Sequence, residues 1–196
     1  MKRATMATKE RALLIVNPAA GKRHASDGDL AECVRLLTAA GLDIDRRETG
    51  PEGPTSGDLA KTALAEGFRV VLVAGGDGTV APAAIALLGT DATLGILPFG
   101  SFMNIANGLG IPLQPIAAAR VIVERKVKRS DVGEVEGRVF FETCGIGLDA
   151  DAFGAARLAE RGRWGPAFRR VVRWATANGV DGAGVLDPAA AEVVAR

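Results

Sequence analysis

Val70-Val-Leu-Val-Ala-Gly-Gly-Asp-Gly-Thr79 decides how the rest of the chain is read. Five apolar residues in a row, three of them β-branched, fit a short strand buried on both faces. Gly75 and Gly76 stop it. The apolar residues from Val80 to Leu88 read as a helix, with Pro82 in its first turn, where a missing N–H costs little. A buried strand, a glycine turn and a helix start in immediate succession gather backbone N–H groups and the positive end of a helix at one point. Glycines at 75, 76 and 78 carry no Cβ, so phosphate oxygens can approach the backbone closely. Thr79 can cap the helix or offer its hydroxyl to phosphate. Asp77 cannot bind phosphate directly; it is a candidate Mg2+ ligand, or an acceptor for loop amides. The alternative is a plain tight turn after a buried strand.

Outward from this stretch the same rhythm repeats. Residues 12–17, 42–47 and 93–97 read as strands, and 30–40, 58–66, 103–109 and 116–124 as helices. Thr49 to Gly57 reads as a loop. This alternation predicts an α/β domain with a parallel sheet over residues 11–125. After Lys126 short strands follow at 126–131, 133–135 and 138–144, with a turn at Glu136-Gly137. These predict the incomplete start of a β-rich second domain over 126–180. Helices are expected at 151–160 and 166–178, and a tail without clear period at 181–196.

Composition narrows the function. The 196 residues are 48% hydrophobic and 24% charged, which describes a globular chain with a real core. A net charge of +1 gives no global field for nucleic acid, and 5% aromatics without Tyr offer few base-stacking platforms. One histidine and two cysteines nearly exclude a zinc cluster or a disulfide framework, so Cys33 and Cys144 read as small apolar residues. Residues 1–10 lack the apolar core of a signal peptide, and no window is apolar enough to span a bilayer. A cytoplasmic protein is the expectation. Oligomeric state has no motif here; a homodimer remains open.

Two further loops follow strands. Asn17-Pro-Ala-Ala-Gly21-Lys22 has a turn fixed by Pro18 and Gly21, and charge for phosphate at Lys22. Leu97-Pro-Phe-Gly100-Ser101 offers a close backbone approach at Gly100 and a hydroxyl at Ser101. In a parallel sheet all three loops share the carboxyl edge, where open α/β sheets bind ligands. Familiar phosphate motifs fail. Gly21-Lys22 lacks the upstream glycine and following hydroxyl of a P-loop. Gly76, Gly78 and Ala81 match the dinucleotide fingerprint, but the acid expected about twenty residues on is missing.

Together, Asn17-Pro-x-x-Gly21, Gly75-Gly-Asp-Gly-Thr79, Leu97-Pro-x-Gly-Ser101 and Gly145-Ile-Gly-Leu-Asp149 resemble, in order, the motifs of the diacylglycerol kinase catalytic-domain family. The resemblance covers roughly residues 11–175. It implies an α/β nucleotide-binding domain similar to that of NAD kinase and phosphofructokinase, followed by a β-sandwich. It implies transfer of the γ-phosphoryl group of ATP, with Mg2+, to a lipid hydroxyl such as that of diacylglycerol. Carried over residue by residue, Asn17, Gly21, Lys22, Gly75, Gly76, Asp77, Gly78, Thr79, Gly100 and Ser101 form the nucleotide site, with Asp77 at the metal. Asp131 resembles a family aspartate on the strand joining the domains.

Several positions depart from the family pattern. Ala81-Pro82 stands where the family often has Asn-Glu. Met103 and Asn104 stand where it often has Asn and Asp, and Glu142 where it usually has Asn. The acidic Asp-Gly-Glu motif thought to supply the catalytic base has no counterpart after Asn178, so the chain looks truncated and its base unassigned. The alternatives are an NAD kinase-like enzyme and an inactive nucleotide-binding pseudokinase or fragment. One more segment stands out. Arg157, Arg161, Arg163, Arg169, Arg170 and Arg173 interleave with Trp164, Phe168 and Trp174, which suits peripheral contact at the inner membrane face; packing of the aromatics between domains is the competing reading.

Overall fold

The computed structural model describes residues 9–20, 26–141, 162, 164–166 and 168–169. The chain divides into two compact units, Met1–Glu142 and Thr143–Arg196. In the first, strands and helices alternate: β1 (Glu10–Val16), α1 (Asp27–Ala39), β2 (Leu42–Glu48), α2 (Ser56–Ala65), β3 (Val70–Gly75), α3 (Asp77–Leu87), β4 (Thr93–Pro98), α4 (Asn104–Gly108) and α5 (Pro115–Val123). A hairpin of β5 (Gly133–Val135) and β6 (Arg138–Phe140) follows.

β1 to β4 form one parallel sheet in the order β2-β1-β3-β4. The fold class is therefore α/β, as the alternation predicts. Side chains of β1 divide with the period of two that a pleated strand imposes. Leu13 and Ile15 join Leu59, Ala60, Ala63, Phe68, Val80 and Ala83 beneath α2 and α3. Ala12, Leu14 and Val16 join Leu30, Cys33, Leu37, Ala118 and Ala119 beneath α1 and α5. Both faces of the central strands are covered, which is why β1 from Ala12 and β3 read as apolar runs, while β2 at the sheet edge carries charged residues. Cys33 is fully buried, and desolvation pushes its thiol up to about 11, so it behaves as a small apolar side chain.

Three helix boundaries move against expectation. α1 and α2 begin earlier, because Ser26 and Thr55 each accept the amide of the residue three on, and Asp29 and Asp58 accept back the cap amides. These capping boxes were legible as Ser-x-x-Asp and Thr-x-x-Asp. α3 also begins earlier. Gly76 is its N-cap and Asp77 its first residue, so Pro82 lies in the interior instead of the first turn. The proline ring withdraws the N–H that the Gly78 carbonyl would otherwise receive.

The segment 126–131 forms no strand, and β6 ends at Phe140 rather than running on. The hairpin turn is at Glu136 and Gly137, both at positive φ (49° and 72°), the geometry that twists a two-residue turn with its strands. Gly21, Lys22, Glu142 to Asp149, residues 151–161 and everything after Arg169 lie outside the described residues. Those stretches include Cys144, the Gly145–Asp149 motif and most of the arginine-rich segment.

Candidate functional site

Sheet order places a switch point between β1 and β3. From β1 the chain runs outward to β2, then returns past β1 to begin β3. Loops leaving these two strands diverge, and the crevice at their carboxyl ends is where such sheets receive ligands. Asn17 follows β1 and the Gly75–Thr79 stretch follows β3.

Asn17 joins the two sides. Its backbone amide donates to the Ala74 carbonyl (3.0 Å). Its side-chain oxygen accepts the Ala19 amide at 3.0 Å, which shapes the turn, and its Nδ2 donates to Thr79 Oγ1 at 3.0 Å. The amide of Ala19 can only donate, so this network fixes the orientation of the Asn17 amide. Thr79 is buried, and its side chain caps nothing at the α3 start. Its carbonyl accepts the hydroxyl of the buried Ser56 at 2.7 Å, which holds the start of α2 against α3. Sequence reading overlooked Ser56, although the capping box just before it marked a helix start.

The glycines differ in why they are glycines. A Cβ on Gly75 would lie 2.7 Å from Thr79 Cβ, and one on Gly100 would lie 2.3 Å from Gly76 Cα. Those positions are dictated by packing, and the second pair presses the loop after β4 against the start of α3. The Phe99 amide, bonded to the Gly75 carbonyl (3.1 Å), continues that contact. Gly78 is different. It is exposed, and a Cβ there meets nothing within 4 Å.

α3 therefore opens on a bare backbone. Thr79 and Val80 return their amides to the Gly76 carbonyl, while those of Asp77 and Gly78, the first two helical residues, have no intrahelical acceptor. The glycine cap has no side chain to satisfy them. With Gly100 alongside and exposed Ser101 next to it, the structure brings Asn17, Gly75, Gly76, Asp77, Gly78, Thr79, Gly100 and Ser101 to one edge of the sheet.

Asp77 turns to the neighbouring loop. Its Oδ2 accepts the Asn104 amide and its Oδ1 the Ile105 amide, both at 3.1 Å. Met103, the N-cap of α4, has left-handed backbone (φ 53°, ψ 40°), and its buried Sδ accepts the Gly100 amide at 3.2 Å. Nothing in the sequence signalled that sulfur contact. Among the described residues no three His, Cys, Asp or Glu side chains gather as a metal cluster. Asp77 alone, with an amide on each oxygen, does not fit a resident protein-held Mg2+ site. Asp131 is exposed, in a segment without regular structure.

The described residues between 9 and 141 thus form an α/β unit whose parallel sheet carries a glycine-capped helix start at its switch point, and sequence relatives narrow the class. The family profile of the diacylglycerol kinase catalytic domain matches residues 11–135. The chain belongs to that family. It is 34% identical over 148 residues to a probable lipid kinase YegS-like of Pseudomonas aeruginosa PAO1, covering 74% of this chain and 47% of that protein. It is 32% identical over 141 residues to a diacylglycerol kinase of Bacillus subtilis 168, covering 70% and 46%. A crystal structure of a diacylglycerol kinase from Bacillus anthracis Sterne superposes with a TM-score of 0.57 at 34% identity, over 67% of this chain and 45% of that one. The chain thus spans about half the length of the curated relatives it matches.

Proposed function

We propose that this chain is the nucleotide-binding part of an ATP-dependent lipid kinase, one that transfers the γ-phosphoryl group to a lipid hydroxyl such as that of diacylglycerol. The observation that carries the reading is Gly78. A glycine in the first turn of a helix sacrifices helix propensity. Here no neighbour among the described residues forces the sacrifice, and Gly78 is one of two first-turn residues whose amides have no acceptor among the described residues. A phosphate oxygen takes the place of the missing side chain and uses those amides. The positive helix end favours the anion further.

Phosphoryl transfer depends mainly on positioning and on matching charge. The amides of Asp77 and Gly78 would hold the phosphates at the helix start. Asn17 and Thr79 keep that start aligned with β1, and Gly100 with Ser101 closes the other side. In the transfer the bond from the γ-phosphorus to the β-bridging oxygen breaks, and one to the lipid oxygen forms. The lipid hydroxyl proton passes to a base that the described residues do not supply. Gly21 and Lys22 would extend the nucleotide site from the β1 side. The hairpin after residue 125 would begin a second domain running to about residue 180.

Calorimetric titration of the chain with ATP and Mg2+, with NAD as comparison, tests this reading. Saturable ATP binding is expected. A folded chain that binds no ATP refutes it, and phosphorylation of NAD in place of lipid would favour the NAD kinase-like alternative. Binding without transfer, in a chain lengthened to match its relatives, would mark a pseudokinase.

Membrane contact has one structural observation in its favour. Trp164 and Phe168 are each 71% exposed. In sequence they are interleaved with arginines, a composition suited to anionic headgroups. Flotation with anionic vesicles, lost in Trp164→Ala/Phe168→Ala, is the expected result for a peripheral protein at the inner membrane face.

A further inference from the structure

We infer that Asp77 is a positioning residue that locks the loop after β4 onto the start of α3, and that this site holds no divalent cation of its own. A cation enters it only with the phosphates of the nucleotide. That last statement rests on the proposed phosphate site; the first two do not.

The geometry of the carboxylate is the starting point. Each oxygen takes one amide, from Asn104 and Ile105, 27 and 28 residues further along the chain. These are the first two amides of α4, and Met103 as N-cap supplies no side-chain acceptor for them. Asp77 does the capping from another helix. Two further ties act in the same direction. The Met103 sulfur holds the Gly100 amide, and Gly100 lies so close to Gly76 that a Cβ would reach 2.3 Å from its Cα. Carboxylate, sulfur and glycine contact together fix where Ser101 and Phe102 stand, and Phe102 is held 67% exposed.

Electrostatics decides against a resident cation. Asp77 is the first residue of α3, so its carboxylate lies at the positive end of that helix as well as against the amides opening α4. N–H dipoles from both sides stabilise the negative carboxylate. A cation beside it would face the same dipoles with the wrong sign. Mg2+ demands near-octahedral oxygen coordination, dehydrates reluctantly, and is commonly held through one or two carboxylates together with substrate phosphates. No cluster of metal-binding side chains accompanies Asp77 among the described residues. Phosphates would supply both the missing oxygens and the missing negative charge.

The experiment uses Mn2+ alone as the probe, with the nucleotide-free chain. Amide signals of Asn104 and Ile105 are followed by NMR, and hydrogen exchange is measured in wild type, Asp77→Asn and Asp77→Ala. We expect no Mn2+ broadening at those two amides in the wild type. Exchange should rise roughly tenfold or more at both amides in Asp77→Ala, the size expected for losing a bond to a charged acceptor. In Asp77→Asn, which keeps one oxygen, one of the two should stay slow. A metal-ligand role predicts no such graded rescue. Saturable broadening at Asn104 and Ile105 overturns the inference, as does wild-type exchange at both in Asp77→Ala. If the variants do not fold, the wild-type Mn2+ titration still decides whether the site holds a cation. None of these readouts needs ATP, so failure of the proposed nucleotide site would show separately.

Discussion

α1 and α2 close their first turns with their own side chains; α3, in the same sheet, leaves its first turn open. Ser26 with Asp29, and Thr55 with Asp58, satisfy the orphan amides reciprocally. At α3 the cap is Gly76, and the third helical residue, Thr79, turns inward to Asn17. Each ordinary cap is worth about 1 kcal/mol. α4 and α5 also lack side-chain caps of their own, but Asp77 caps α4 from outside and α5 begins on Pro115; α3 is the helix that opens uncapped at the switch point of the sheet, which under the proposed function leaves its amides to a phosphate.

The comparison can be broken hardest at Gly100. Gly100→Ala drives a methyl into the Gly76 backbone, and neither main chain can yield without moving β4 or α3. A loss of about 3 kcal/mol or more is expected, at the top of the range for overpacking. A urea midpoint unchanged from wild type would mean that the loop is looser than its contacts imply.

Removing the closed caps should cost less. Ser26→Ala and Thr55→Ala are each expected to lower stability by about 1 kcal/mol, with ATP affinity unchanged. An affinity loss in either variant would blur the distinction between structural and functional helix starts.

Gly78→Ala separates stability from binding. The methyl meets no atom of the protein, so stability should hold or rise by up to about 1 kcal/mol from helix propensity. ATP affinity should fall roughly tenfold or more as the methyl takes the phosphate's place. Equal affinity by calorimetry would remove Gly78 from the site.

The smallest effect is on pH dependence. The Ser26 amide, then its hydroxyl, holds the Asp29 carboxyl below its ordinary value, and the Thr55 hydroxyl, then its amide, does the same for Asp58. A carboxyl lowered by folding contributes stability that is complete above its unfolded pKa and is lost as pH falls through the folded one. Stability should therefore decline below about pH 4. The decline should be shallower in Asp29→Asn/Asp58→Asn, measured by urea midpoints at neutral and acid pH. An identical slope would mean that these boxes do not report on acid stability.

Much of this was legible in the chain. The apolar runs at 12–16, 70–74 and 93–97 gave the buried strands because both faces of a parallel sheet are covered, leaving no polar alternation to confuse them. The glycine stretch marked the site, since few other patterns place that many Cβ-free residues at a strand end. Helix starts were read late at Leu30, Asp58 and Val80. Apolar periodicity begins only where a helix meets the core, whereas first turns at the edge are polar and are set by caps.

Sequence by itself determined the strand–helix alternation, the three loops and the family, because periodicity and glycine placement are properties of the linear order. Only the tertiary structure decided which glycine is free and which are wedged, that Thr79 faces Asn17, and that Asp77 spends both oxygens on α4. Those facts depend on residues far apart in the chain meeting at one sheet edge, and on hydrogen bonds whose partners no local pattern names.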